Sequence, residues 1–402
     1  MIEDELNVWH DDQIVGYLWR NEAGVMSFQY DDNWNLFPLS ISLPLDKKIE
    51  QSVGHRFFAN LLPEGSARER LCRRLRCPDT DFDLLREIGA ECAGAISILP
   101  VEQSPDLQYA YQKIDEADLV KLIETRGASI ILENKPRLSL AGAQDKMTVH
   151  VKKDGLYLPV GQTPSTHILK FEVTDFKNVP LYEVFTTTLA QAVGLKTIDI
   201  ELRFLDSKSY TLSKRYDRLI GEDKVTRIHQ EDFCQALGYK EKYQRGNEPN
   251  FTQCYQLIIE YSSNPLEDVE QLLKWQLFNV IVGNSDAHIK NLSFLYDKNQ
   301  TRLAPFYDLV STRAIEHLDS TLALYVGNQK NPDLITRTNL TEMANQCRIR
   351  PKRLIDILDQ LITAFEKHYQ LIQATIENQY GQQPALQRVG RVIEKQTKLL
   401  LD

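Results

Sequence analysis

Residues 283–308 read GNSDAHIKNLSFLYDKNQTRLAPFYD, and this segment contains the three side chains on which the prediction of fold and chemistry depends. Asp286 and Asn291 are separated by four residues. The apolar run before them predicts a buried helix, and LSFLYDKNQTRLAPF after them predicts a hairpin. Asp308 comes just beyond the second strand of that hairpin. A rigid hairpin is a means of returning Asp308 to the side of the other two residues.

These three residue types are the ones that phosphoryl transfer requires. One carboxylate must accept or orient the proton of an attacking hydroxyl, while a second carboxylate and an amide oxygen hold magnesium against the nucleotide phosphates. Protein kinases separate the base and the amide ligand by four residues, as this segment does. A lone D-x-x-x-x-N more often only caps a loop. The loop placement, the hairpin and the third oxygen ligand favour the functional interpretation.

Two further residues lie between the base and the amide. Lys290 is a candidate for neutralising the transferred phosphoryl group, and a solvated loop lysine is the alternative. His288 is placed with the residues expected to bind the nucleotide.

The helix before this loop has recognisable ends. Asn264 and Pro265 predict its start, apolar residues recur at the 3.6-residue period, and Gly283 predicts its end. Farther along, Pro351 and Gly381 delimit a second long amphipathic helix. The last part of the chain is therefore predicted to be mainly helical.

The middle of the chain is predicted to be a small antiparallel sheet with one long helix against it. KMTVHVKKDGLYLPV reads as a hairpin, and STHILK reads as a third strand that ends in Lys170. The helix PLYEVFTTTLAQAVGL begins near Pro180 and carries Glu183 early in its length. Lys170 and Glu183 resemble the strand-lysine and helix-glutamate couple of kinases, although a strand lysine is more often solvated. SLAGAQDKM contains Gly142, which can bring backbone N–H groups toward phosphate.

Length and composition narrow the class of protein. The 402 residues correspond to two or three domains, and 42% hydrophobic with 26% charged residues is an ordinary globular balance. The 47 Lys and Arg against 56 Asp and Glu give a net charge of -9, which argues against nucleic-acid binding over the whole surface. No apolar run approaches the roughly 18 residues that span a bilayer. The 6 cysteines show no CxxC pair. We expect a cytoplasmic protein with reduced thiols and no membrane association.

Seven ordered motifs make the sequence similar to the HipA family of serine/threonine kinase toxins. They are FFANLLPEGSARERL, LSLAGAQDKM, STHILKFE, SKRYDR, HQEDFCQALG, GNSDAHIKN and FYDLVS. The resemblance implies an α+β, two-lobed protein-kinase-like fold with a β-rich N-lobe, a helical C-lobe and an extra β-rich N-terminal subdomain. It divides the chain into residues 1–102, 103–236 and 237–402. It also implies ATP and Mg²⁺ as cofactors.

The resemblance further assigns roles to individual residues. It implies Asp286 as the catalytic base, and Asn291 and Asp308 as the metal ligands. Lys290, from its place in the loop, completes the predicted catalytic set. The nucleotide-binding set comprises the glycine segment, the strand lysine and its partner, the expected hinge and the loop histidine: Ser139, Ala141, Gly142, Ala143, Gln144, Lys146, Lys170, Glu183, Lys214, Tyr216 and His288. Family members phosphorylate themselves on a serine just before the glycine, and Ser139 occupies that position.

The function implied by the resemblance is a growth-arresting protein kinase. Its target would be a Ser or Thr of a protein, possibly an aminoacyl-tRNA synthetase, and a HipB-like helix-turn-helix antitoxin would neutralise it. Operator DNA would be reached indirectly, through the antitoxin complex. Two alternatives stay open: a catalytically silent kinase fold that acts as corepressor with a DNA-binding partner, and a small-molecule kinase. The complete phosphotransfer set argues against the first, and the family resemblance argues against the second.

Overall fold

The structure is a computed structural model in which residues 4–106, 108–127, 144–173, 176–206, 208–222 and 224–401 are described. The chain divides into two compact units. Unit 1 comprises Met1–Phe171, Arg203–Lys240 and Leu295–Asp297, and unit 2 comprises Glu172–Leu202, Glu241–Phe294 and Lys298–Asp402. The division into three parts at residues 102 and 236 stays a prediction.

Unit 1 begins with a four-stranded antiparallel sheet in the order β3-β2-β1-β4. Its strands are β1 (Glu5–His10), β2 (Gln13–Arg20), β3 (Met26–Tyr30) and β4 (Ser97–Pro100). Because successive side chains of a strand point to opposite faces, Met26 and Phe28 are buried while Gln29 is exposed. Three helices contribute large side chains such as Phe58 and Phe82 to the same core. They are α1 (Gln51–Ala59), α2 (Gly65–Leu75) and α3 (Asp81–Ile88).

A second sheet has six strands in the order β5-β7-β6-β8-β10-β9. The strands are β5 (Tyr111–Lys113), β6 (Lys146–Lys152), β7 (Gly155–Pro159), β8 (His167–Phe171), β9 (Ile200–Leu205) and β10 (Lys208–Lys214). The predicted hairpin is confirmed as β6 and β7, and the predicted third strand is β8, which pairs antiparallel with β6. Helix α4 (Glu116–Glu124) adds Leu122 and Ile123 to the core of this sheet.

The last part of unit 1 contains short elements. Strands β11 (Arg218–Ile220) and β12 (Val225–Arg227) pair with each other, and β13 (His229–Asp232) leads into the short helix α6 (Phe233–Leu237). Asp232 caps this helix by accepting a hydrogen bond from the Gln235 N–H.

Unit 2 is mainly helical, as the sequence predicts. Its helices are α5 (Val179–Ala192), α7 (Phe251–Tyr261), α8 (Pro265–Val282), α9 (Arg337–Gln346), α10 (Pro351–Tyr380) and α11 (Leu386–Leu401). The predicted ends of α8 and α10 are confirmed, and Gly283 caps α8 with a φ of 69°. None of the helices in the described ranges is both long and apolar enough to cross a membrane.

The elements on either side of the candidate catalytic loop position the site. Helix α8 is buried over most of its length, and its Trp275 ring stacks on Phe306 with ring centroids 6.1 Å apart. After α8, strands β14 (Ser293–Asp297) and β15 (Gln300–Leu303) form the predicted hairpin. Its two turn residues, Lys298 and Asn299, have φ values of 48° and 62°, as a tight hairpin turn requires. A rigid helix therefore precedes the loop, and a rigid hairpin follows it.

Candidate active site

The candidate catalytic loop, residues 283–292, is buried except at Asp286. Asn284 shapes its first turn. The Asn284 Oδ1 accepts a hydrogen bond from the Asp286 N–H at 3.2 Å, and its Nδ2 donates to Asn279 Oδ1 at 2.9 Å. The loop therefore exposes a single carboxylate on a buried support, which suits a group that must meet an attacking hydroxyl.

A 3-10 turn over Ile289–Asn291 holds the predicted amide ligand. Asn291 Oδ1 accepts a hydrogen bond from the His288 N–H at 3.0 Å, and its Nδ2 donates to Asp308 Oδ2 at 3.4 Å. A carbonyl oxygen has two lone pairs, so this Oδ1 has one left for a metal ion. The structure thus brings the two predicted metal ligands together.

Residues before and after Asp308 in sequence anchor it to the candidate catalytic loop and to the end of α8. The Tyr307 hydroxyl donates to the Lys290 carbonyl at 2.6 Å, and Ser311 Oγ donates to the Val282 carbonyl at 2.6 Å. Asp308 itself has a φ of 55°, a left-handed conformation that Asp tolerates better than most residues. The backbone on both sides of Asp308 is therefore fixed relative to the candidate catalytic loop.

Lys290 and His288 are both buried, at 6% and 7% exposure. The alternative of a solvated loop lysine is therefore wrong. The His288 ring lies edge-on to the Tyr243 ring, with centroids 5.4 Å apart. The contact of Lys290 with a phosphoryl group and that of His288 with a nucleotide stay predictions.

The residues of this site fit a magnesium ion. Magnesium is usually bound through one or two carboxylates together with substrate phosphates, and unit 2 presents the Asp308 carboxylate beside the Asn291 amide. Across the described ranges, no three His, Cys, Asp or Glu side chains converge on a closed metal site. The pair is suited to an ion that is shared with a phosphate-bearing substrate.

Three of the predicted nucleotide contacts in unit 1, Lys146, Lys170 and Lys214, lie on strands β6, β8 and β10 of the six-stranded sheet. Lys170 on β8 is 6% exposed and has Lys146 and Thr211 as its register partners on the neighbouring strands. The alternative of a solvated strand lysine is therefore wrong. Just before β6, the side-chain amide of Gln144 donates to the Phe171 carbonyl at 2.7 Å.

The glycine segment and the pair of Lys170 and Glu183 are two further parts of the predicted nucleotide site. The glycine segment with Ser139, Ala141, Gly142 and Ala143 lies outside the described residues. Glu183 is buried on α5 and belongs to unit 2, whereas Lys170 belongs to unit 1. Their pairing stays a prediction.

The predicted hinge is SKRYDR, residues 213–218. Its Arg215, Asp217 and Arg218 form a buried ionic network with Glu91 that the sequence did not predict. Arg215 and Arg218 lie 2.9 and 2.7 Å from Glu91 Oε1, and both also contact the Asp217 carboxylate. Burial raises the pKa of Glu91, but the guanidinium groups of Arg215 and Arg218 outweigh it and hold that pKa below its usual value.

The two hinge residues that are predicted to contact adenine lie beside this network. Lys214 is exposed at the end of β10, and the Tyr216 hydroxyl donates to Gln230 Oε1 at 2.6 Å. Their contact with adenine stays a prediction.

Comparisons with known proteins cover most of the chain. Residues 6–99 match the HipA N-terminal domain, and residues 138–369, more than half of the chain, match the HipA-like C-terminal domain. The chain belongs to the HipA family. The resemblance carried by the seven motifs is therefore confirmed.

Individual relatives agree with this assignment. The chain is 39% identical to the protein Y4mE of Sinorhizobium fredii over 81% of each sequence. It is 31% identical to the serine/threonine-protein kinase toxin HipA of Shewanella oneidensis, over 78% of this chain and 76% of that one. A solved complex of Shewanella oneidensis HipA with HipB and operator DNA superposes with a TM-score of 0.82 at 26% identity, covering 98% of this chain and 96% of that one. The predicted two-lobed HipA-type fold class is confirmed.

Proposed function

We propose that this protein transfers the γ-phosphoryl group of ATP to a Ser or Thr hydroxyl of a protein target. The observation that carries the proposal is the arrangement in unit 2, where Asp286 is exposed on a buried loop and Asn291 lies beside Asp308. The kinase toxin named among the relatives supports the same activity.

Each side chain has one task in this proposal. Asp286 orients the attacking hydroxyl and accepts its proton. Asn291 and Asp308 bind Mg²⁺, which, when bound, neutralises charge on the phosphates. Lys290 adds a cation beside the transferred group. In unit 1, Lys170 binds the phosphates of ATP.

The finer assignments belong to the same proposal. The segment 139–146 covers the phosphates, Glu183 fixes Lys170, and the backbone near Lys214 and Tyr216 contacts adenine. Ser139 is the autophosphorylation site. The chain comprises an N-terminal subdomain (1–102), an N-lobe (103–236) and a C-lobe (237–402), and it works in the cytoplasm.

The biological role that we propose is that of a toxin held in check by an antitoxin. The solved relative is a complex of HipA with HipB and operator DNA, which supports a HipB-like helix-turn-helix partner here. Operator DNA is then reached through that partner. An aminoacyl-tRNA synthetase is the candidate target that the family suggests.

Labelling with radioactive ATP tests the activity. Purified protein is incubated with ATP that is radiolabelled at its γ-phosphate, Mg²⁺ and a cell lysate, and labelled proteins and the peptide containing Ser139 are identified by mass spectrometry. We expect Asp286→Asn to keep the fold and to lower protein labelling by on the order of 10²-fold, because it removes the base. Asp359→Asn is the control, since this carboxylate of unit 2 pairs with Arg337 in an exposed ion pair.

The possible outcomes separate the alternatives. Labelled protein that disappears only in Asp286→Asn supports a protein kinase. Label confined to small molecules would favour the small-molecule kinase. An absence of label in every fraction would favour the catalytically silent corepressor.

A further inference from the structure

We propose that Tyr243 is the positioning residue that orients the catalytic base, Asp286. The Tyr243 hydroxyl donates a hydrogen bond to Asp286 Oδ1 at 2.7 Å. The inference rests on the proposed kinase function, and it adds a residue that lies 43 positions away from the base in sequence.

An exposed base needs such a partner. The main chain of Asp286 is fixed by Asn284, but an exposed Asp side chain still has several staggered rotamers available. A proton acceptor has to lie within hydrogen-bond reach of the attacking hydroxyl, so rotation about the side-chain bonds of Asp286 reduces the fraction of time in which transfer can occur. A hydrogen bond to one carboxylate oxygen selects one orientation and directs the carboxylate.

The backbone around Tyr243 is itself fixed to unit 2. The Gln244 N–H donates to the Ala323 carbonyl at 2.8 Å, and Gln244 Oε1 accepts a hydrogen bond from the Tyr325 N–H at 2.9 Å. The Ala323 N–H in turn donates to the Ser285 carbonyl, in the residue before the base, at 2.9 Å. The segment that carries Tyr243 and the loop that carries Asp286 therefore share one support.

The Tyr243 ring is also held in place. It lies edge-on to His288 with centroids 5.4 Å apart, and Lys242 Nζ lies 5.2 Å from its centre. Tyr243→Phe keeps the ring and these ring contacts and removes only the hydroxyl. This substitution therefore removes the hydrogen bond to the base while it keeps the ring in place.

An inhibitory role of the Tyr243 hydroxyl would predict that its removal raises activity. If Tyr243 occupied the place of the acceptor hydroxyl on Asp286, its removal would open the site and raise activity. The fixed backbone and the packed ring favour permanent orientation, because a group that must leave on each turnover needs freedom to move.

The test compares steady-state kinetics of wild type and Tyr243→Phe, with the purified protein that wild type labels most strongly in lysate as the acceptor. We expect kcat to fall by about tenfold, the effect of losing one hydrogen bond to a charged group, while KM for ATP and calorimetric MgATP affinity stay unchanged. The acidic limb of the kcat/KM profile should move to higher pH, because the hydroxyl stabilises the ionised carboxylate. A structural defect alone would not move this limb.

Tyr325→Phe is the matched control. Tyr325 lies in the same support, and its hydroxyl has no hydrogen-bond partner in the part of the chain that the structure describes. It should keep wild-type kinetics. An active wild type with an unchanged or more active Tyr243→Phe overturns the inference alone. An inactive wild type that matches Asp286→Asn overturns the proposed kinase function, and the inference with it.

Discussion

Glu231 in β13 is a single carboxyl that makes the stability of unit 1 depend on pH. It is fully buried and accepts hydrogen bonds from Ser40 Oγ at 2.5 Å, from the Ile41 N–H at 3.0 Å and from the Tyr296 hydroxyl. Burial raises its pKa from 4.5 to about 7, because these donors only partly compensate for the lost hydration.

This shift predicts a loss of stability as the solution becomes more alkaline. A carboxyl whose pKa is raised by folding stabilises the folded state most below its unfolded pKa, and that contribution disappears between pH 4.5 and about 7. The difference is about 3 kcal/mol. Buried His229, whose pKa burial lowers to about 4, acts in the opposite direction over part of this range. Glu231→Gln should therefore be compared with wild type at each pH.

Urea unfolding followed by tryptophan fluorescence measures this effect. Relative to wild type, Glu231→Gln should gain stability on going from pH 5 to pH 8. A difference between the two proteins that does not change with pH would contradict the assignment.

Gly283 ends α8 and begins the candidate catalytic loop. Its φ is 69°, and an added Cβ would lie 2.5 Å from Val392 Cγ1 and 3.1 Å from Arg313 Cβ. Gly283→Ala should lower the free energy of unfolding by about 3 kcal/mol, from left-handed strain and overpacking together. It should also reduce phosphoryl transfer, since the Arg313 N–H and the Thr312 hydroxyl both donate to the Gly283 carbonyl.

Gly238 provides the matched control for this substitution. It ends α6 in the same left-handed conformation, with a φ of 68°, and an added Cβ would make only an ordinary van der Waals contact with Val53 Cγ1 at 3.8 Å. Gly238→Ala should cost only about 1 kcal/mol, the conformational part of the effect. Thermal unfolding of both variants measures the two losses, and equal losses would show that packing at Gly283 contributes nothing.

Helix ends and hairpins could be predicted because neighbouring residues in the sequence determine them. Contacts between residues that are distant in sequence could not be predicted. Pro265 and Gly283 determine the ends of α8 through backbone geometry alone, so its limits were predictable. The hairpin after Asn291 was equally visible, and with it the proximity of Asp308. The contact of Tyr243 with Asp286 has no local pattern, because the residues meet only through tertiary packing.

The alternatives that placed two lysines in solvent were wrong, and the predicted roles of those lysines stay predictions. Lys170 and Lys290 were assigned solvated alternatives because isolated lysines on strands and loops are usually exposed. Their burial depends on segments that are distant in sequence. The pairing of Glu91 with Arg215 across 124 residues could not be predicted for that reason.

The buried ionic network joins the first hundred residues of unit 1 to its later strands. Arg215 and Arg218 each contact Glu91, and the Gly94 N–H donates to Asp217 Oδ2 at 2.8 Å. Removing one partner from a buried charge network leaves the others uncompensated, which costs about 3–5 kcal/mol. Both parts of unit 1 should therefore lose stability together when the network is broken.

Glu91→Gln tests whether these two parts unfold as one. Hydrogen exchange should become faster in peptides from β1–β4 and, to the same extent, in peptides from β10–β12. The reason is that the network links the segment that carries Glu91 to the segment that carries Arg215 and Arg218. Peptides from α8 in unit 2 serve as the internal reference. Asp154→Asn, which breaks the exposed ion pair with Lys113, is the matched control and should leave exchange unchanged. Faster exchange confined to β1–β4 would show that the first hundred residues open on their own, as an independent N-terminal subdomain would.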